Sequence, residues 1–219
     1  MVGPGIEKNE LGLPRTGPSP VKIENLEKNL SSPDGASMID KDRLKTLIKE
    51  KSLLISSEEN FKLASGGSSN FFFDMKKTSM DPEGANLIAE AIVEILKKEK
   101  CNYIGGLESG AIPIVSAVVT KSQMMNYPVY GFFVRKKPKE RGTKKLIEGN
   151  LEENTEVIIL DDVTTKGESV LKAVNEIRNL KCKVKKVVTV VDRLNGARER
   201  LKDEGIDLIA LYTKEDFGL

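Results

Sequence analysis

The fold is decided by the stretch Val157-Ile-Ile-Leu-Asp161-Asp162-Val-Thr-Thr165-Lys-Gly167-Glu-Ser169. Its apolar, β-branched beginning is typical of a buried parallel strand, which we expect to end at the two adjacent carboxylates. A turn of Thr, Gly and Ser follows, and a helical pattern then begins at Val170. Open α/β sheets bind ligands at the carboxyl ends of their strands, where a helix N-terminus presents free N–H groups. Phosphate suits those N–H groups and sugar hydroxyls suit the carboxylates, so the stretch predicts a site for a phosphorylated sugar.

Strand-like and helical patterns alternate along most of the chain. A helix is expected to begin after Asp40, and residues Phe61 to Asp74 predict two short strands around a Gly-rich turn. The later strand-like runs are Tyr103–Gly106, Val129–Val134, Val157–Leu160, Val184–Val191 and Leu208–Tyr212. The later helical patterns are Pro82–Lys98, Ile112–Ser122, Ser169–Leu180 and Ala197–Glu204. This order predicts an α/β fold with a mostly parallel central sheet flanked by helices on both faces.

The composition sets limits on the class of protein. The chain has 219 residues, and its charged residues, 31% of the total, nearly cancel to a net charge of +2, which argues against a general nucleic-acid binder. The sequence contains no apolar run of membrane-spanning length and no apparent signal peptide. Cys101 and Cys182 lack metal-ligand spacing and fit a reducing compartment. We therefore expect a cytoplasmic protein with no membrane or nucleic-acid partner.

The chain contains no histidine. This excludes the commonest general base and most zinc sites. Any catalysis must therefore use Lys, Arg, carboxylates or a metal that arrives with a ligand. Transfer at the anomeric carbon of a sugar meets this condition, because its charge development is handled mainly by electrostatics and positioning.

A second informative stretch is basic: Arg135-Lys-Lys-Pro-Lys139-Glu-Arg141-Gly-Thr-Lys-Lys145. It has seven basic residues and one acid, and its Pro and Gly predict a long, mobile loop. The charge suits pyrophosphate, while a solvated loop or a nucleic-acid patch are the alternatives. No interleaved aromatic residues support base stacking. The loop leads into the strand that carries the Asp pair, which favours pyrophosphate.

The segment from Asp161 to Ser169 resembles the phosphoribosyl pyrophosphate (PRPP) signature of type I phosphoribosyltransferases. The resemblance implies that the two aspartates hold the ribose hydroxyls and that the following loop cradles the 5′-phosphate. The implied PRPP site comprises Asp161, Asp162, Val163, Thr164, Thr165, Lys166, Gly167, Glu168 and Ser169. Lys166 and Glu168 stand where the family often has small residues, and Thr165 with Glu168 has the spacing of a capping box. The alternative is the Asp pair of another α/β family, such as a Walker-B carboxylate, but no Gly-x-x-x-x-Gly-Lys-Ser/Thr loop accompanies it.

The basic stretch narrows the resemblance to orotate phosphoribosyltransferases, whose mobile loop runs Arg-Lys-x-x-Lys-x-His-Gly. The likeness implies that Lys139 is the catalytic lysine, which reaches the pyrophosphate of the neighbouring subunit in a homodimer. Arg135, Lys136 and Arg141 would also bind PRPP. Arg141 replaces the family histidine, which preserves a phosphate contact but removes a titratable proton donor.

Further matches concern the base and the pyrophosphate. Phe72 and Phe73 resemble an aromatic pair that lines the orotate pocket in this family, with core packing as the alternative. Arg193 matches an arginine that pairs with the orotate carboxylate, with a surface salt bridge as the alternative. Thr165 would also contact orotate.

The segment Gly105–Pro113 resembles the pyrophosphate loop of the family, where Ser109 and Gly110 offer backbone N–H groups. The likeness extends from Met38 onward. It implies a type I phosphoribosyltransferase fold with a small N-terminal hood, the transfer of phosphoribose from PRPP to orotate, and Mg²⁺ carried by PRPP without direct protein ligands. Two alternatives remain open: a phosphoribosyltransferase for a purine or uracil, and a non-enzymatic PRPP-sensing regulator that binds RNA.

Residues 1–37 are rich in Pro, Gly, Ser and Asn and show little periodicity, which predicts a disordered extension before a phosphoribosyltransferase domain at 38–219. Removal of residues 1–37 should therefore leave the melting temperature unchanged and turnover within about twofold. Thermal unfolding and steady-state kinetics of the truncated chain check this. Aggregation or loss of turnover would contradict the assignment.

Overall fold

This computed structural model describes residues 40–57, 61–62, 68–138 and 146–219. Helices and strands follow one another through these ranges. The strands are β1 Leu53–Ile55, β2 Phe61–Lys62, β3 Ser68–Ser69, β4 Phe71–Phe73, β5 Tyr103–Leu107, β6 Tyr130–Val134, β7 Ile147–Gly149, β8 Glu156–Thr164, β9 Lys183–Asp192 and β10 Asp207–Thr213. The helices are α1 Lys41–Leu47, α2 Lys76–Ser79, α3 Pro82–Glu99, α4 Ala111–Met124, α5 Glu168–Asn179 and α6 Ala197–Asp203. A π-helical turn, Ile48–Ser52, follows α1, and a 3₁₀ turn, Lys214–Phe217, follows β10.

Six strands form the central sheet in the order β10-β9-β8-β5-β6-β7. All neighbouring pairs are parallel except β6 with β7, which is antiparallel at one edge. From β5 the chain moves to β6 on one side and later returns to β8 on the other side. The strand order therefore reverses between β5 and β8, which is the position where open α/β sheets form a ligand crevice. The predicted parallel sheet is confirmed.

The apolar run of β8 is continuous because both faces of this strand are buried. Ile158 and Leu160 pack into the core on one face of the sheet, whereas Val157 and Ile159 pack into the core on the other. All four are at most 1% exposed. Helices α3 and α4 cover the first face with Ile88, Ile92, Ile114 and Val118. Helices α5 and α6 cover the second face with Val174, Ile177 and Leu201. Burial of each such aliphatic side chain contributes about 1.5–3 kcal/mol.

Strand β8 continues past the point where its sequence pattern predicts an end. Val163 pairs with Val191, and Thr164 pairs with Asp192 on β9. Asp161 and Asp162 therefore lie within the strand and not after it. The apolar pattern stops at Leu160 because the next two side chains are carboxylates, while the backbone pairing with β9 continues to Thr164.

The two helices that begin at aspartates follow simple capping chemistry. The side chain of Asp40 accepts a hydrogen bond of 2.8 Å from the backbone N–H of Arg43 at the start of α1. Asp81 accepts from Glu83 and Gly84 at the start of α3, whose first residue is Pro82. Both caps satisfy N–H groups that lack partners within the helix.

The N-terminal strands form two small antiparallel sheets. β2 pairs with β3, and β4 pairs with β1 in the register Leu53 with Phe73. The predicted strands around the Gly-rich turn correspond to β2 and β3, while β1 did not stand out in the sequence because it is short and partly exposed. Residues 63–67 of that turn, including Ala64, lie outside the described residues.

The described residues between 40 and 219 form one compact unit. The segment 1–37, for which an extension is predicted, lies outside the described residues. Within the described ranges, no helix is long and apolar enough to cross a membrane. Cys101 and Cys182 are both buried and free.

Candidate active site

The Asp pair lies at the carboxyl end of β8. Thr164 donates a hydrogen bond of 3.1 Å from Oγ1 to Oδ2 of Asp161. Asp162 accepts a hydrogen bond of 2.9 Å at Oδ1 from the backbone N–H of Val163. Thr164 is fully buried, so its side chain orients Asp161 and has no surface for a ligand. Both carboxylates are thus held in fixed orientations at the ligand crevice.

The surroundings of the pair disfavour negative charge. Burial and, after it, the neighbouring charge of Asp162 raise the pKa of Asp161 to about 8. Burial also raises the pKa of Asp162, against the hydrogen bond from Val163 and the positive charge of Lys76, which lower it. A ligand that brings hydroxyl donors or positive charge would therefore be bound favourably here.

The loop after β8 delivers backbone N–H groups to the same place. Gly167 has φ = +76° and is the N-terminal cap of α5, a left-handed conformation that favours glycine. No side chain caps this helix, so the predicted capping box of Thr165 and Glu168 is wrong. The positive φ at Gly167 starts the helix at Glu168, so Glu168 is its first residue and cannot reach back as the third.

One cavity of about 640 Å³ joins this loop to the base of the basic loop. Its walls comprise Leu107, Val134, Arg135, Lys136, Lys137, Pro138, Leu146, Asp161, Val163, Thr165, Lys166, Gly167, Glu168, Ser169, Lys172, Asn175 and Glu176. The structure therefore brings Arg135 and Lys136 together with Asp161 and the predicted phosphate loop. Asp162 and Thr164 are not part of this wall.

Asp162 instead faces the loop after β5. A Cβ atom built on Gly110 would lie only 2.5 Å from Oδ1 of Asp162. Glycine is needed at this position because the carboxylate of Asp162 occupies the space of a side chain. The predicted pyrophosphate loop, Ser109 and Gly110, thus lies directly beside the Asp pair.

Glu108 connects that loop to the basic loop, a role that its sequence position did not indicate. Its Oε1 accepts a hydrogen bond of 2.8 Å from the backbone N–H of Lys136. Arg135 makes an ion pair of 3.4 Å with Glu148 on β7 and donates to the carbonyl of Lys137. The base of the basic loop is therefore anchored, whereas Lys139 and Arg141 lie outside the described residues.

Arg193 follows β9 and is only 4% exposed. Its Nη2 donates to Oγ of Ser69 at 2.9 Å, and its guanidinium carbon lies 4.3 Å from the centre of the Phe71 ring. Its Nε is buried and has no hydrogen-bond partner among the described residues, and burial lowers the pKa of the side chain. Among the described residues, no carboxylate forms a salt bridge with Arg193, so the alternative of a surface salt bridge is wrong. A buried guanidinium with a free donor is suited to a carboxylate ligand.

The three phenylalanines of β4 divide between the two sides of the strand, with Phe71 and Phe73 in ring contact on one side and Phe72 on the other. Phe73 is 4% exposed and packs against Phe217, with ring centres 5.2 Å apart, so it belongs to the core. Phe72 is 36% exposed and stacks on Phe61. Adjacent residues of a strand point to opposite sides, so Phe72 and Phe73 do not face one pocket together. Phe71, which the sequence match did not include, is the aromatic residue beneath Arg193.

Three comparisons with known proteins agree. Residues 80–209 match the family model described as the phosphoribosyl transferase domain. The chain is 46% identical over 159 residues to an orotate phosphoribosyltransferase of a Bradyrhizobium species, covering 71% of this chain and 86% of that protein. It is 42% identical over 175 residues to the Aquifex aeolicus orotate phosphoribosyltransferase, covering 80% and 96%.

A comparison with a solved structure shows the same fold. The Mycobacterium tuberculosis orotate phosphoribosyltransferase in complex with PRPP superposes with a TM-score of 0.66 at 28% identity, covering 82% of this chain and 99% of that one. The six-stranded sheet and its crevice are therefore those of a type I phosphoribosyltransferase. On this evidence, the chain belongs to the orotate phosphoribosyltransferase family.

Proposed function

We propose that this protein transfers the 5-phosphoribosyl group of PRPP to orotate, forming orotidine 5′-monophosphate and pyrophosphate, a step of pyrimidine biosynthesis. The observation that carries the proposal is a convergence at the end of the sheet. A pair of aspartates, an uncapped helix start and a buried arginine with a free donor lie at the ends of the adjacent strands β8 and β9. Each suits one part of the two substrates.

The sugar and its 5′-phosphate fit the β8 side of the crevice. The N–H groups at the start of α5 suit the phosphate, and Asp161 and Asp162 suit the ribose hydroxyls. During transfer the bond from the anomeric carbon to pyrophosphate breaks, a bond to the orotate nitrogen forms, and the proton of that nitrogen is lost to water or to the departing pyrophosphate. The two carboxylates would stabilise the positive charge that develops on the ring.

The base fits the β9 side. A carboxylate of orotate would pair with Arg193 through two parallel hydrogen bonds, one of which would use the buried Nε. Phe71 holds the guanidinium from below, and Ser69 fixes one of its nitrogens. This pre-set geometry favours an acidic base over an uncharged one, because a buried arginine without its partner is unfavourable.

The site residues fit a metal ion that is carried by the substrate. Carboxylate oxygens suit Mg²⁺, yet no group of three or more candidate ligands occurs among the described residues. Mg²⁺ bound to PRPP would supply positive charge near Asp161 and Asp162, which would hold the substrate that carries it. The raised pKa values of Asp161 and Asp162 support this, since a site that resists its own negative charge gains from a cation.

The basic loop would complete the site in a homodimer. Arg135–Pro138 already form part of the cavity wall, and Lys139 follows directly. Lys139 would neutralise the leaving pyrophosphate on the neighbouring subunit, and closure of the loop would exclude water and suppress hydrolysis of PRPP. We place this activity in the cytoplasm, where its phosphorylated substrate would be retained.

Replacement of Asp161 by Asn should stabilise the fold in a pH-dependent way. A raised folded-state pKa means that ionisation of Asp161 opposes folding, and this penalty grows from its unfolded pKa near pH 4 to about pH 8. The gain in melting temperature of Asp161→Asn should therefore be larger at pH 8 than at pH 5, by about 2–4 °C for each kcal/mol relieved. Turnover should fall.

The matched control is Asp207→Asn. Lys186 lowers the pKa of Asp207, so this variant should lose stability by a constant amount between pH 5 and pH 8. Thermal unfolding at both pH values distinguishes the two variants. An equal gain in melting temperature at both pH values for Asp161→Asn would show that ionisation of Asp161 does not destabilise the fold.

Replacement of Lys139 by Ala should lower turnover by about 10²-fold or more with the fold unchanged, because one pre-positioned charge on the leaving group is lost. Steady-state kinetics with orotate, PRPP and Mg²⁺ measure this through the fall in orotate absorbance. Lys183→Ala, an exposed lysine at the opposite end of β9, is the control. Turnover near that of the control would refute the role of the basic loop.

Replacement of Arg193 by Ala should raise KM for orotate by about 10- to 100-fold, since a charged hydrogen bond contributes about 1.5–3 kcal/mol. KM for PRPP should change little. Arg193→Lys keeps the charge but loses the paired donors, so its KM for orotate should lie between those of the wild type and Arg193→Ala. A rise confined to the KM for PRPP would show that the base pocket lies elsewhere.

A further inference from the structure

Helix α6 supports the phosphate loop from outside the cavity. A Cβ atom built on Gly167 would lie 3.5 Å from Cβ of Ala197, so the loop packs against the first turn of this helix. One turn further, Arg200 donates from Nη1 to the carbonyl of Lys166 at 3.1 Å. The same nitrogen lies 3.8 Å from Oε1 of Glu168. Arg200 therefore touches both residues that depart from the small residues usual in this loop.

Glu168 creates a difficulty for a phosphate site. It is the first residue of α5, where the helix dipole favours any nearby anion, and it forms part of the cavity wall. The cap residue Gly167 offers no side-chain oxygen to the free N–H groups. The carboxylate of Glu168 thus has the charge and the position to compete with a bound phosphate for the same N–H groups.

We propose that Arg200 is a positioning residue for phosphate binding. It draws the Glu168 carboxylate toward α6 and turns the Lys166 carbonyl to the same side, which leaves the N–H groups of the loop directed at the ligand. The inference rests on the proposed function, since it requires that Thr165–Ser169 bind the 5′-phosphate. Arg200 itself touches no reacting atom.

The exposure of this ion pair decides where its effect appears. The side chains of Arg200 and Glu168 are 45% and 54% exposed. Pairs of this kind contribute little to the free energy of unfolding. An unpaired carboxylate beside a doubly charged phosphate, however, should weaken phosphate binding by about tenfold even in a water-like dielectric.

The test measures binding of ribose 5-phosphate to the full chain by calorimetry. Arg200→Gln should weaken binding about tenfold. Arg178→Gln is the matched control, because Arg178 also joins α5 to α6, through Glu204 at the far end of both helices. Its affinity should equal that of the wild type. Equal losses in both variants would overturn the proposal by showing a general effect of helix contacts.

The double variant E168Q/R200Q isolates the charge. It should recover affinity to within about threefold of the wild type, because the competing carboxylate is gone. In turnover assays, Arg200→Gln should raise KM for PRPP while kcat is restored at saturation. Failure of E168Q to rescue, or a loss confined to kcat, would overturn the proposal.

The calorimetric test does not depend on the reaction. A wild type that binds ribose 5-phosphate but does not turn over orotate would refute the proposed function and leave the role of Arg200 testable in full. A wild type that does not bind ribose 5-phosphate would overturn the role of Arg200 directly.

Discussion

The constraint on which the site depends is the partial burial of two adjacent carboxylates at the end of β8. Each is disfavoured as an anion by its surroundings, so neighbouring groups must hold both in place. Thr164 binds Asp161 from within the strand, and Asp162 occupies space that Gly110 leaves free by lacking a Cβ. The reversal of strand order between β5 and β8 brings these elements together. A sheet with another order would separate Gly110 from the Asp pair.

Strand β9 lies beside β8 and positions Arg193 at the same crevice. The backbone N–H of Arg193 donates to the carbonyl of Thr164 at 2.9 Å, so the arginine is set by the strand that carries the aspartates. Asp192 is fully buried and accepts hydrogen bonds from the N–H of Leu194 and from Nε of Arg198. These bonds fix the chain where it leaves the sheet, and the Arg193 guanidinium is thereby held without a protein anion among the described residues.

The sequence pattern predicted the helices and strands whose apolar side chains repeat regularly. It did not predict the positions of several residues around the crevice. The helices and parallel strands were correct because burial on one or both faces imposes a clear period. The end of β8 was misplaced because Asp161 and Asp162 interrupt the apolar run while the backbone pairing continues. The resemblance pointed to Phe72 and Phe73, whereas the strand places Phe71 beneath Arg193 and turns Phe72 to the other side. The contact of Arg200 with the carbonyl of Lys166 spans 34 residues, so no local pattern could reveal it.

The segment from Arg193 to Arg200 joins the two ends of the proposed substrate pair. Its first residue, Arg193, is proposed to bind the base, and its last residue, Arg200, contacts the loop proposed to bind the 5′-phosphate. Because both lie on one short, hydrogen-bonded stretch that begins at the buried Asp192, their separation is fixed by the covalent chain and not by packing alone. The same arrangement would explain how Glu168 is tolerated in a loop that binds phosphate. Its charge is balanced by a residue whose position is set by the same stretch that positions Arg193.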